Sequence, residues 1–303
     1  MFTTNSAVGT NNKLDFSNHT VICNWNDKVP MLMDDLHSND NKRKRASIII
    51  TDNITTFPEP DKKYGVDPFQ DTAIIPGKPC DTRTLVRAGA DDAHTIIILP
   101  DFRHQDPDNY SLQIALTVKD FIESKKENNL NKDHNYKIPR ILVNVVDSNN
   151  ATHFDNFSIT GINEVVCENE LGLRALALSS INHNSASVFN EIMTYSESSS
   201  ELYSIVIPRN WYEEKSEEEI AITSFQQICE KAYSINNNTE VVVVGYIRIN
   251  ENGKANAYIN PPISRLRENN INQYKHDDRL LVLAKNIDVA ERLFYPGVPE
   301  ENS

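Results

Sequence analysis

Four short runs of branched apolar residues constrain this chain more than any other feature. They are Thr20-Val-Ile-Cys-Asn-Trp25, Ala46-Ser-Ile-Ile-Ile-Thr51, His94-Thr-Ile-Ile-Ile-Leu99 and Ile141-Leu-Val-Asn-Val-Val146. Three or more consecutive apolar residues leave a strand no polar face, so such strands are covered on both sides of a parallel sheet. Between them the spacing turns helical. Val29, Leu32, Met33 and Leu36 share one helix face, and Leu112, Ala115, Leu116, Val118, Phe121 and Ile122 predict a helix over 109–124. Thr72–Ile75 and Asn163–Cys167 add two further strands, and Asp81–Ala88 reads as a short helix closed by Gly89 in a left-handed cap. Residues 53–71 read as a long surface loop and 125–137 as a polar connector. This alternation implies an α/β fold, a doubly wound Rossmann-like parallel sheet.

A different pattern begins at Asn169. Over 169–182, Leu171, Leu173, Leu176, Ala177, Leu178 and Ile181 leave no clean polar stripe, and a helix apolar on nearly all sides must be buried on all sides. Another subunit is the expected second surface; the competing reading is the central helix of a large monomeric core. A second helix, 186–195, carries Val188, Phe189, Ile192 and Met193 on one face. Beyond a Ser/Glu-rich linker, strands at 202–207, 240–249 and 279–284 and a helix near 224–234 make a small α+β lobe. Asn252-Gly253, followed by a strand over 255–259, predicts a hairpin.

Composition narrows the function. The 303 residues carry a net charge of −13, which works against a nucleic-acid surface, so no nucleic-acid partner is expected. Four scattered cysteines without a C-x-x-C pair indicate neither a zinc site nor a disulfide framework. No secretory leader and no run of about 20 apolar residues is seen, so a cytoplasmic location is expected, with any membrane role exerted through a pore or partner. The basic run Lys42–Arg45 and the acidic run Glu213–Glu219 read as solvated segments. No H-E-x-x-H, G-x-S-x-G or P-loop pattern occurs, the eight histidines are dispersed, and an enzyme is not expected.

Three segments together resemble the regulator-of-K⁺-conductance (RCK) family, the ligand-sensing domains of K⁺ channels and Trk/Ktr-type transporters. Residues 77–93, Gly-Lys-Pro-Cys-Asp-Thr-Arg-Thr-Leu-Val-Arg-Ala-Gly-Ala-Asp-Asp-Ala, and the strand to Leu99 resemble the family's turn after the third strand, its L-x-x-A-G helix and its fourth strand. Gly245-Tyr-Ile-Arg248, Asn260-Pro-Pro262 and His276-Asp-Asp-Arg-Leu-Leu-Val282 resemble the G-x-x-R … N-P-P … G-D-x-L-x-V pattern of its C-terminal lobe. Asn24-Trp-Asn-Asp-Lys-Val29 is similar to the first turn of the CASTOR/POLLUX and calcium-gated branch. The resemblance covers about Asn18 to Ile287.

The resemblance implies an N-lobe over 18–168, a crossover over 169–197 that clasps a second copy, a C-lobe over 198–288, and flexible termini at 1–17 and 289–303. It implies a homodimer, in some members an octameric ring, acting on a membrane pore domain or subunit. A cation-channel gate is the leading expectation, a soluble subunit of a Trk/Ktr-type transporter the alternative, and a nicotinamide-dependent enzyme the third. Dimer contacts are placed at Leu173, Leu176, Leu178, Phe189 and Ile192.

Ligand-binding positions are placed at the strand exits: Asn24, Asn26, Asp27, Asp52, Gly77 and Asp101. The identity of a cofactor stays open between a nucleotide and a divalent cation. A dinucleotide first turn needs G-x-G-x-x-G, and here the three positions read Asn24, Asn26 and Val29, with Pro30 beside them, which argues against a standard NAD pose. Asp52 ends its strand where a ribose acceptor would stand; a solvated strand-end carboxylate is the simpler reading. The calcium-gated branch implies acidic ligands after the fourth strand and along the fifth. Asp101, Asp106 and Asp147 are the candidates here, although the fifth strand offers Asn144 and Val146 in place of carboxylates.

Overall fold

The computed structural model describes residues 16–38, 45–54, 69, 71–132, 136–155, 162–194, 200–207, 225–235, 241–249, 255–261 and 278–292. The basic run at 42–44, most of the 53–71 loop, the acidic run at 213–219, the Asn252-Gly253 turn, Pro262, His276 and Asp277 lie outside them. The chain divides into two compact units between His183 and Asn184.

In the first unit, β1 (Thr20–Cys23), β2 (Ser47–Thr51), β3 (Thr72–Pro76), β4 (Thr95–Ile98), β5 (Arg140–Val145) and β6 (Ile162–Cys167) form one sheet in the order β3-β2-β1-β4-β5-β6. Every pairing is parallel, with Thr20 opposite both Ser47 and Thr95. The apolar runs explain this. Val21 and Cys23 point into one core with Ile48, Ile50 and Ile96, whereas Ile22 and Ile49 point into a second with Val29, Met33, Phe69 and Leu99. Each central strand is therefore covered on both faces. Burial alone pushes the Cys23 thiol up to about 12, as expected of a small apolar core residue.

The helices of this unit are α1 (Val29–Leu36), α2 (Thr82–Arg87), α3 (Pro107–Lys132), α4 (Ala151–Asp155) and α5 (Glu168–Ile181). Asp81 caps α2 by accepting the Arg83 N–H at 3.0 Å, and Gly89 takes the expected left-handed φ of 58°. α3 is longer than the spacing predicts. It runs through residues 125–132, expected to be a polar connector, because a helix once nucleated adds a backbone hydrogen bond for each further residue even where no apolar stripe continues.

The second unit holds α6 (Ser185–Met193), β7 (Glu201–Val206), α7 (Phe225–Ile235), β8 (Val241–Ile249), β9 (Ala255–Ile259), β10 (Arg279–Ala284) and α8 (Ile287–Arg292). Its sheet is antiparallel in the order β7-β10-β8-β9, and Ile249 pairs with Ala255 as the expected hairpin requires. One sheet face packs on Phe225, Ile228 and Ala232 of α7 and on Ile287 and Ala290 of α8. The segment from 289, expected to be a flexible terminus, thus begins as a helix, because Ala290 is fully buried in this core.

Candidate functional site

In a sheet of this order, the strand connections diverge at β1 and β4, and their carboxyl ends frame a crevice. β1 leaves that edge through Asn24, whose φ is 75°, a conformation Asn tolerates better than most residues with a Cβ. Its backbone N–H donates to Ile50 O at 2.9 Å, and its side-chain Nδ2 donates to Leu99 O at 2.7 Å. Asn26 is buried too. Its Nδ2 donates to Pro100 O at 3.1 Å while its Oδ1 accepts the Lys28 N–H at 3.1 Å. Both amides therefore cross from the β1 exit to the β4 exit and are spent on the neighbouring chain. Asp27 faces solvent.

The residue after the β1 turn reaches outward. Lys28 pairs with Glu168, the first residue of α5, and its ammonium lies 5.7 Å over the Phe102 ring. Gly77, at φ 149°, donates its N–H to Thr51 O at 3.0 Å. A Cβ there would stand 2.7 Å from Thr84 Oγ1, so glycine is demanded by the closeness of α2 as well as by the backbone.

Asp101 and Asp52 are brought together through a residue the sequence reading missed. Arg103 Nε donates to Asp101 Oδ1 at 2.9 Å and Nη2 to Asp101 Oδ2 at 2.6 Å, and the Arg103 backbone N–H donates to Oδ1 at 3.0 Å. The same Nη2 reaches Asp52 Oδ1 at 2.5 Å. Asp101 is only 2% exposed. Burial acts to raise its carboxyl, but the Arg103 hydrogen bonds and charge outweigh burial and hold it below the usual carboxylate range. Hydrogen bonds from Asp101 and then Asp52 push the guanidinium upward in turn. An Asp-x-Arg spacing was the available signal, since an Asp side chain readily accepts the N–H two residues on.

Around this bridge, His104 lies 3.8 Å from Asp101 Oδ2 and stacks on Tyr110 with ring centroids 3.8 Å apart. The Tyr110 hydroxyl is 3.9 Å from Cys80 Sγ, and burial, followed by the Cys80 charge, raises its phenol. Asp108 is a further carboxylate of this edge. Buried in the first turn of α3, it accepts the Val146 N–H at 2.7 Å, the Asp147 N–H at 3.0 Å and Asn150 Nδ2 at 2.8 Å, and so fixes the β5 exit.

The three expected metal ligands are not gathered. Asp101 is held by Arg103, Asp106 Oδ1 accepts the Asn109 N–H at 3.0 Å, and Asp147 Oδ1 accepts the Asn149 N–H at 2.9 Å. Among the described residues no group of three His, Cys, Asp or Glu could hold a metal ion. The donor set does not fit the divalent cation that the resemblance implied, because each carboxylate is already an acceptor for its own neighbours.

The positions expected at a subunit contact are exposed within their own units. α5 buries no side chain, and Leu173 and Leu176 are 67% and 68% exposed. Leu178 and Phe189 are 36% and 37% exposed, and Ile192, half-buried, lines a small pocket with Leu202. In the second unit the motif residues find one another. Arg248 Nη2 donates to Asp278 Oδ2 at 2.8 Å, and its guanidinium lies 5.6 Å over the ring of the buried Tyr246. A Cβ on Gly245 would meet Tyr258 O at 2.2 Å, so the G-x-x-R pattern reads as close strand pairing plus one ion pair.

Comparison with known proteins points the same way. Residues 15–150 match the family model described as the calcium-activated potassium channel slowpoke-like RCK domain. That part of the chain is similar to an RCK domain. The human SLO3 gating ring shares its fold, with a TM-score of 0.59 at 12% identity over 93% of this chain and 47% of that one. The GsuK RCK domain aligns over 95% of this chain and 49% of that one at 16% identity, with a TM-score of 0.33. The TrkA-N domain of inner membrane protein ybaL from Escherichia coli aligns over 55% and 98% at 14% identity, with a TM-score of 0.37. The chain spans about half the length of the SLO3 gating-ring chain. No curated protein matches its sequence. Among the described residues no helix is long and apolar enough to cross a membrane.

Proposed function

We propose that this chain is a non-catalytic regulatory module that works from the cytoplasmic side on a K⁺ channel, through pairing of its crossover helices with those of a second copy. The observation that carries the reading is α5. It exposes Leu171, Leu173, Leu176 and Ile181, and a helix of that composition left in water would be an aggregation hazard. A second copy covers it at the least cost, since a two-fold contact lets the same leucines serve on both sides. Two such lobes with alternative packings would bias a pore by whatever free energy separates those packings. The matching family model is that of a channel, which favours a channel over a separate transporter subunit.

Leu176→Asp tests this. Light scattering of the wild-type chain should give a dimer or larger assembly and the variant a monomer. The variant's melting should stay close to that of a wild-type monomer, because Leu176 is two-thirds exposed within its own unit. An unchanged mass would overturn the contact and with it the proposed route of gating.

A further inference from the structure

β2 and β4 lie on either side of β1, and each is followed within three residues by a carboxylate, Asp52 and Asp101. We infer that Arg103 is the resident cation of this edge, a tethered side chain that joins the β2 and β4 exits across the end of β1 and sets the lobe without a metal ion.

The chemistry of the donors carries the inference. A hard divalent cation takes six to eight oxygens at about 2.3–2.6 Å. Both oxygens of Asp101 already accept N–H groups, from a planar guanidinium in its forked geometry and from one backbone amide. The two carbonyls just before it, Leu99 O and Pro100 O, would be the next oxygens in reach of an ion, and they accept the amides of Asn24 and Asn26. β5 supplies Asn144 and Val146, and Asp106 and Asp147 are engaged in local turns. Arg103 answers the local charge as well, as one cation shared by two carboxylates with His104 alongside. A metal taking Asp101 would have to compete with three N–H groups of Arg103 that already donate to that buried carboxylate. The inference does not depend on the gating reading, since its readouts are melting and cation titration while that of Leu176→Asp is mass.

The test is thermal unfolding of the full chain in wild type, Arg103→Gln, Arg103→Lys and Asp52→Asn, each with and without about 5 mM CaCl2 or MgCl2, above the roughly millimolar range of weak protein calcium sites. Wild type should shift by less than about 1 °C with either salt. Arg103→Gln should melt lower, regain part of the loss on adding CaCl2, and lose that response when Asp52→Asn is added. Arg103→Lys should melt between wild type and Arg103→Gln, because a lysine restores the charge without the fork. A wild-type midpoint that climbs with CaCl2, or an Arg103→Gln protein that melts like wild type or ignores CaCl2, overturns the inference. Should Arg103→Gln fail to fold, Asp52→Asn alone decides. Its lowered midpoint supports the bridge, and an unchanged midpoint overturns it.

Discussion

Two of the arginine–aspartate pairs among the described residues use the same groups in unlike ways. In the second unit, Arg248 on β8 meets Asp278 just before β10; their side chains are 15% and 1% exposed, and the guanidinium lies over Tyr246. In the first unit, Arg103 and Asp101 sit two residues apart in one turn, and the arginine is half in water while it reaches a second carboxylate. The enclosed pair has surrendered the hydration of both charges, so neither partner can leave without stranding the other. The half-open pair gives up only that of Asp101. One holds two adjacent strands as a fixed part of the core; the other ties two strand exits whose loops could separate without unfolding the sheet.

The largest break in this contrast should come from Asp278→Asn. Stranding a buried guanidinium costs about 3 kcal/mol or more, and hydrogen exchange should accelerate in β8 and β10 while β1 and β4 keep their protection. If protection is lost equally in both sheets, the pair is not local to its unit. Lysine replacements sharpen the comparison at a smaller scale. Arg248→Lys should cost about 1–2 kcal/mol, since the fork and the stacking over Tyr246 are both lost, and Arg103→Lys should cost less, because water can serve the half-exposed site. Equal losses in chemical denaturation would mean that exposure does not separate the two pairs.

Acid gives the smallest effect. Asp101 titrates below an unfolded aspartate, so its contribution is complete above the unfolded value of about 3.9 and disappears as pH falls from there toward the lower folded value. The wild-type midpoint should fall more steeply below about pH 4 than that of Asp101→Asn, which has no carboxylate to protonate. Parallel curves would remove Asp101 from the acid response.

The fold was largely legible because its signals are local. The short, β-branched Ile48–Ile50 and Ile96–Ile98 runs favour covered strands, and Asp81 and Gly89 mark the two ends of α2. The tail of α3 was not, because Lys125–Lys132 lacks the apolar period that separates helix from loop. The site was half legible. Sequence placed Asn24, Asn26, Asp52 and Asp101 after the carboxyl ends of their strands, where the structure has them, since strand ends can be counted. It could not show that Asn24 and Asn26 are turned toward Leu99 and Pro100, a pairing across 75 and 74 residues. Arg103 escaped notice because Asp52 lies 51 residues away and is adjacent only once β2 and β4 flank β1.

Asn24 deserves one last look as a mechanical part. Where a nucleotide-gripping lobe leaves a gap for its guest, this one runs an amide strut from the tip of one strand to the tip of the next, at the expense of a backbone twist that glycine would adopt freely. The exits of β1 and β4 are thereby tied to each other by a side chain of the lobe itself.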